Sequence, residues 1–173
     1  RALGVPLGRI VLATNANRVL PDYFSGADYA PKASVATLAN AMDVGAPSNF
    51  ERLRWLYKGD DAALRDAFTS LAVDDTTIRE TIAHRYREYG EVFCPHTATA
   101  VHVLEQLRAS GSAASDQHWA VAATAHPAKF ESVVEPMIGR EVEVPPALAE
   151  LLKRPAHAEP CAPEYAALRE KLL

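Results

Sequence analysis

The 173-residue chain is short of cysteine, aromatic residues, positive charge and long apolar runs, and each shortage removes a class of protein. Cys94 and Cys161 lie far apart, so no disulfide framework is available. The pair predicts free thiols in a reducing compartment, and hence a cytoplasmic protein. Eighteen basic residues stand against 22 acidic ones, for a net charge of −4. No basic stripe is left to neutralise phosphates, which argues against a nucleic-acid partner. No apolar stretch approaches the ~20 residues of a membrane span, and no signal segment is recognisable. The eight glycines are scattered, so no Gly-rich phosphate-binding loop is present.

What is present suits one soluble domain: 49% hydrophobic and 23% charged residues, enough to bury a core. Leu3-Gly4 reads as the last turn of a helix, and Ile10 to Ala13 as a buried strand of a parallel sheet. A helix with an end and no beginning predicts missing upstream residues, with residues 1–173 the C-terminal part of a larger protein. A short helix is expected over Arg18 to Phe24. Others are expected from Ser48 to about Lys58, and from Asp60 to about Phe68 with Asp60 as cap. A stronger one runs from about Asp74 to Tyr89, with Ile78, Ile82, Tyr86 and Tyr89 at helical spacing and Gly90 as terminator. Val92-Phe93 reads as a short strand. Pro95 opens a helix with Ala100, Val101, Leu104 and Leu107 on one face, ending near Gly111. Trp119 to Ala123 reads as a second buried strand, followed by a helix to Ile138 that Gly139 ends. A proline-rich remainder closes with a helix from Glu164 to Leu172.

Strands alternating with helices predict an α/β fold, a mostly parallel sheet with flanking helices. In such sheets ligands lie outside the carboxyl ends of the strands. That rule places Thr14-Asn15 and Thr124 to His126 on one functional edge. Residues 36 to 53 are a further candidate wall. Up to Pro47 this stretch is built of small residues and amides, whose backbone approaches a ligand closely. At Ser48 it changes to a helix start, where Ser48 and Glu51 have the spacing of a capping box.

Four segments carry a resemblance: Ala13-Thr14-Asn15-Ala16-Asn17, the loop from Thr37 to Leu53, Cys94-Pro95-His96-Thr97-Ala98, and Ala123-Thr124-Ala125-His126-Pro127-Ala128-Lys129-Phe130. In this order and spacing they resemble the threonine synthase family, in its longer branch of many bacteria and fungi. The resemblance runs from Arg9 to about Pro145. It implies part of a tryptophan-synthase-like, fold type II pyridoxal-phosphate enzyme, a lyase converting O-phosphohomoserine and water to threonine and phosphate. It further implies that the Schiff-base lysine and the phosphate loop lie upstream, since none of Lys32, Lys58, Lys129, Lys153 or Lys171 matches the former. The chain alone is then expected to be inactive.

By the same resemblance, Thr124 matches the hydroxyl that bonds the cofactor's pyridine nitrogen. Asn40 is the candidate for its ring edge, and His96 lines the site. Asn15, Asn17 and His126 are candidates to bind substrate, the two asparagines through their amide donors. At a helix start, His96 is expected to favour a neutral ring because of the helix dipole. Plainer readings stand beside these: Thr124 and Asn17 as helix caps, His96 and His126 as structural histidines, Lys129 as a solvated side chain. Two alternative functions also remain, a non-catalytic folded fragment or interaction module, and a related phospho-lyase. Cys94, His96, His102 and His126 match no zinc spacing, and no metal is expected.

Overall fold

Ile10–Thr14 forms strand β1 and pairs in parallel with β2, Phe68–Ala72, in the register Ile10 with Phe68 through Thr14 with Ala72. This computed structural model describes residues 4, 7–114 and 116–172. They divide into two units, residues 1–142 and 143–173. Leu3, expected to end a helix, lies outside the described residues; Gly4 has φ +77°.

Between the two strands run α1 (Val19–Phe24), α2 (Phe50–Leu56) and α3 (Asp61–Ala67). After β2 come α4 (Asp75–Tyr89), α5 (Pro95–Ala109) and α6 (Glu131–Ile138), the last entered through a 3-10 turn, Pro127–Phe130. Alternation along the strands sends side chains to opposite faces of the sheet. Val11, Ala13 and Leu71 join Ile78, Ile82, Ala98, Val103, Val134 and Ile138, a core built by α4, α5 and α6. Leu12 and Phe68 join Tyr23, Phe50 and Leu64 on the other face. That second core is aromatic: Tyr29 stacks on Phe50 at 4.6 Å, and Tyr23 meets Phe50 edge-on at 4.8 Å.

The second unit holds α7 (Pro146–Leu152) and α8 (Tyr165–Leu172). Pro146 pre-sets the first turn of α7, and Lys171 Nζ donates to Glu159 at 3.1 Å. Helix α7 is not foreshadowed by the sequence reading.

Several expected elements are corrected. Trp119 to Ala123 forms no strand and has no strand neighbour among the described residues, and the same holds for Val92-Phe93. An apolar run becomes a strand only where another backbone accepts its hydrogen bonds. The second strand is Phe68–Ala72 instead, whose Ser70 hides its polarity by donating to the Leu12 carbonyl at 3.1 Å. The capping box at Ser48 does not form: Asn49 is the N-cap of α2 and makes no side-chain cap bond.

Caps hold elsewhere. Asp60 accepts from the Ala63 amide and Asp74 from the Thr77 amide, and Gly90 and Gly139 close α4 and α6 in the left-handed region. The Thr77 amide also holds the Asp74 carboxyl below its ordinary range. Asp74→Ala is expected to lower stability by about 1 kcal/mol. A carboxyl depressed in the folded state stabilises above its unfolded value, so the difference from wild type should persist at neutral pH and fade as pH falls below ~4. Thermal melts at pH 7 and pH 3 check this; an equal difference at both would refute it.

Candidate functional site

At the carboxyl end of β1 the backbone turns inward and buries two amides. Asn15 is fully buried and Asn17 nearly so. The Asn15 Nδ2 donates to Thr37 Oγ1 at 2.7 Å, to the Ala39 carbonyl at 3.1 Å and to Asp43 Oδ1 at 2.7 Å. Its Oδ1 accepts from both the backbone and side-chain nitrogens of Asn17, each at 2.9 Å. Asn17 in turn exchanges hydrogen bonds with the Val35 backbone, donating at 2.9 Å and accepting at 2.8 Å. Thr37 donates to Asp43 twice, through its amide at 3.0 Å and its hydroxyl at 2.7 Å. An amide carries two N–H donors, so those of both asparagines are fully engaged within the chain. In this structure the donors expected to face a substrate are turned toward the loop from Val35 to Asp43.

Asp43 is the hub that sequence reasoning missed. A signal was available: it is the only acid between Asp28 and Glu51. Its loop is fastened at three further points. The Lys32 amide donates to the Gly45 carbonyl at 2.8 Å, the Gly45 amide to Ser34 Oγ at 3.0 Å, and the Leu38 amide to Asp75 Oδ1 at 3.0 Å. Within the loop, Asn40–Met42 makes a 3-10 turn, and Asn40 is exposed.

That turn meets the start of α5. The Ala41 amide donates to His96 Nε2 at 3.0 Å, and the ring lies 4.9 Å from Phe130. His96 is 8% exposed, and its Nδ1 is buried with no partner among the described residues. Burial pushes the imidazole below its ordinary value, against the opposing pull of the Asp43 carboxylate; Lys129 acts with burial. The shift has the direction expected of a ring that favours its neutral form, with desolvation rather than the helix dipole as its leading cause.

Thr124, His126 and Lys129 lie on the segment that leads into α6. Thr124 is exposed, in the segment before the 3-10 turn. His126 is exposed and caps that turn, its Nδ1 accepting from the Ala128 amide at 3.2 Å. Lys129 is exposed. His102 lies 3.4 Å from Thr81 Oγ1, and among the described residues no cluster of three His, Cys, Asp or Glu side chains is placed to hold a metal ion.

A groove of about 1390 Å³ runs beside β1. One wall is the face of α5 made by His96, Ala100, Val103, Leu104 and Leu107; residues 117–122 form another. From His96 to Leu107 the helix rises roughly 16 Å, the length of an extra strand rather than of a small ligand. At one end His96, Ala41, Thr14 and Asn17 line it; Arg9, Asn49, Ser112, Gln117 and His118 add further polar groups to the lining. This end is the carboxyl end of β1, where ligands of parallel sheets bind. The apolar face read from Ala100, Leu104 and Leu107 is thus partly groove wall.

A sequence model of the family described as threonine synthase, C-terminal, matches residues 97–171. The threonine synthase of Escherichia coli K12 is 34% identical over 173 residues, covering 100% of this chain and 39% of the relative. A crystal structure of threonine synthase from Escherichia coli superposes with a TM-score of 0.82 at 33% identity, covering 99% of this chain and 38% of that one. A pyridoxal-phosphate-bound threonine synthase from Brucella melitensis gives 0.73 at 27% identity, covering 88% and 37%. The chain thus spans 39% of the length of its Escherichia coli relative. The expected fold, part of a fold type II architecture, is borne out by these neighbours. No helix among the described residues is long and apolar enough to cross a membrane.

Proposed function

We propose that this chain, which matches the C-terminal portion of threonine synthase along its whole length, supplies one wall of a pyridoxal-phosphate site in an enzyme that converts O-phosphohomoserine and water to threonine and phosphate. The observation that carries the reading is that match, at the level of both sequence and fold. In this reading residues 1–173 are the C-terminal part of the catalytic domain. The covalent lysine is assigned to the rest of the protein, because none of the five lysines here fits that role.

The residues present suit the cofactor. His96 Nδ1 is a buried nitrogen lacking a partner among the described residues, at the ligand end of β1, and an oxygen-rich anion would satisfy its proton. Pyridoxal phosphate, when bound, supplies the electron sink that lets a proton leave beside the substrate nitrogen and phosphate depart. Thr124 would hold the pyridine nitrogen through its exposed hydroxyl. As a neutral partner it does not force a proton onto that nitrogen, which tempers the electron sink. Asn40, exposed on its turn, would meet the ring edge. Asn15 and Asn17 hold the loop behind these contacts. His126, with Nδ1 engaged, has Nε2–H left to orient substrate. A cytoplasmic location accords with the two free thiols, Cys94 and Cys161.

The test uses the complete protein. It should take up pyridoxal phosphate, seen by absorbance, and release threonine and phosphate together from O-phosphohomoserine. Phosphate without threonine would favour the phospho-lyase, and neither product would favour the non-catalytic fragment. Thr124→Val should weaken cofactor binding by about tenfold, the worth of one neutral hydrogen bond. Unchanged affinity in a titration would remove Thr124 from the site.

A further inference from the structure

We propose that His96 meets the bound ligand as a neutral imidazole whose proton is locked on Nδ1, and that the lock is the Ala41 amide, carried on a loop that Asp43 ties to the end of β1. This rests on the preceding reading for the identity of the ligand. It does not rest on it for the lock.

The geometry points to the lock directly. An imidazole nitrogen that accepts a hydrogen bond keeps its lone pair, so in the neutral ring the other nitrogen carries the proton. Nε2 accepts from Ala41 at 3.0 Å, which leaves the proton on Nδ1. Phe130 packs on the ring and opposes its reorientation. The charged groups near the ring are the Asp43 carboxylate and the Lys129 ammonium, and burial outweighs the former in setting its charge.

Nδ1–H is therefore a buried donor with no acceptor among the described residues. Along the same face of α5 the next side chains are Ala100, Val103, Leu104 and Leu107, all apolar. The helix offers that proton nothing, and the acceptor is assigned to the ligand. The matching chemistry is an anionic oxygen, found on the cofactor phosphate, on the pyridoxal ring and on a phosphorylated substrate alike.

Asp43 and Asn15 act at one remove, as positioning residues. Ala41 is flanked by Ala39, whose carbonyl Asn15 holds, and by Asp43, which gathers Asn15, Asn17 and Thr37. If the loop slips, the Ala41 amide leaves Nε2 and the tautomer is no longer dictated. The alternative tautomer would turn a lone pair toward an anion.

The experiment is ring-nitrogen NMR of the complete protein labelled with ¹⁵N-histidine, with His96 assigned by substitution. Nδ1 should be protonated and Nε2 bare, and pyridoxal phosphate should shift the Nδ1 signal. Inorganic phosphate and phosphate-free pyridoxal, added separately, tell which oxygen is met. His96→Asn keeps an N–H donor near the Nδ1 position, whereas His96→Gln moves its amide to the Nε2 end. The glutamine variant should bind pyridoxal phosphate at least about tenfold more weakly, the asparagine variant much less so. Thr37→Val and Asp43→Asn should leave the His96 ring in place but give a mixture of tautomers.

A protonated Nε2 in the wild type overturns the lock. A Nδ1 signal unmoved by all three ligands, with His96→Gln binding as tightly as wild type, overturns the ligand contact. Failure of the wild type to take up pyridoxal phosphate overturns the preceding reading and the ligand contact with it, while the tautomer still decides the lock.

Discussion

Gly45→Ala should destabilise the protein by about 3 kcal/mol, the upper end of what an inserted methyl in a closed backbone causes. A Cβ at Gly45 would lie 2.0 Å from the Lys32 carbonyl oxygen and 2.9 Å from the carbonyl carbons of Lys32 and Ala33. All three atoms are main chain, so no rotamer change relieves the clash. The loop must open at the point where Lys32 and Gly45 are hydrogen-bonded. The effect should reach the site as well, since the same loop carries Ala41 to His96. Urea denaturation of the complete protein measures the loss, and cofactor titration measures the displacement. A variant as stable as wild type would show that the closure at Gly45 is loose.

The second large effect belongs to Asn15→Asp, a change of a single atom. It places a carboxylate oxygen where an N–H now faces Asp43 Oδ1 at 2.7 Å, inside a fully buried site. It also turns a donor to the Ala39 carbonyl into an acceptor facing an acceptor. Two like charges at that distance cannot both persist, so one carboxyl must retain its proton. The expected loss at pH 7 is about 3–5 kcal/mol, the range for a buried charge left uncompensated. The sign with pH follows from linkage. The introduced carboxyl is raised in the folded state above its unfolded value of ~3.9, so stability is retained below that pH and lost as pH rises above it. Asn15→Ala, which removes the donors and adds no charge, should be destabilised with little dependence on pH. Denaturation curves at pH 4.5 and 7.5 separate the two. Equal behaviour of Asn15→Asp and wild type at pH 7.5 would show that Asn15 and Asp43 are not in contact.

Both effects arise where the sequence was least transparent. Local signals were legible: the periodicity of Ile78 and Ile82, the caps at Asp60 and Asp74, and the glycines at 90 and 139 all act within one or two turns. The polar exit from β1 was legible too, because Asn15 and Asn17 follow the apolar strand directly. Pairing was not. Trp119 to Ala123 has the composition of a buried strand without a neighbour, whereas Phe68–Ala72 contains a threonine and a serine yet has one. Composition describes a segment, and a strand is a relation between two.

The asparagines make the same point in polar form. Sequence shows that Asn15 and Asn17 offer donors but not which acceptors take them. Apart from Asn15 Oδ1, which accepts from Asn17, those acceptors lie 18 to 28 residues away, on a loop whose path is set by Gly45 and Ser34. Asp43 escaped notice because an acid among small residues looks like a solvated turn until its four donors converge on it.

The parallel pairing of β1 with β2 also dictates an order of folding. Its partners are 58 residues apart, and the ladder is rewarded only after that span has closed. Helices α2 to α5 draw on local contacts and nucleate within their own segments, while the two-stranded ladder must wait for them. Topology thus predicts that the ladder, with the buried turn at its end, forms after the helices that flank it.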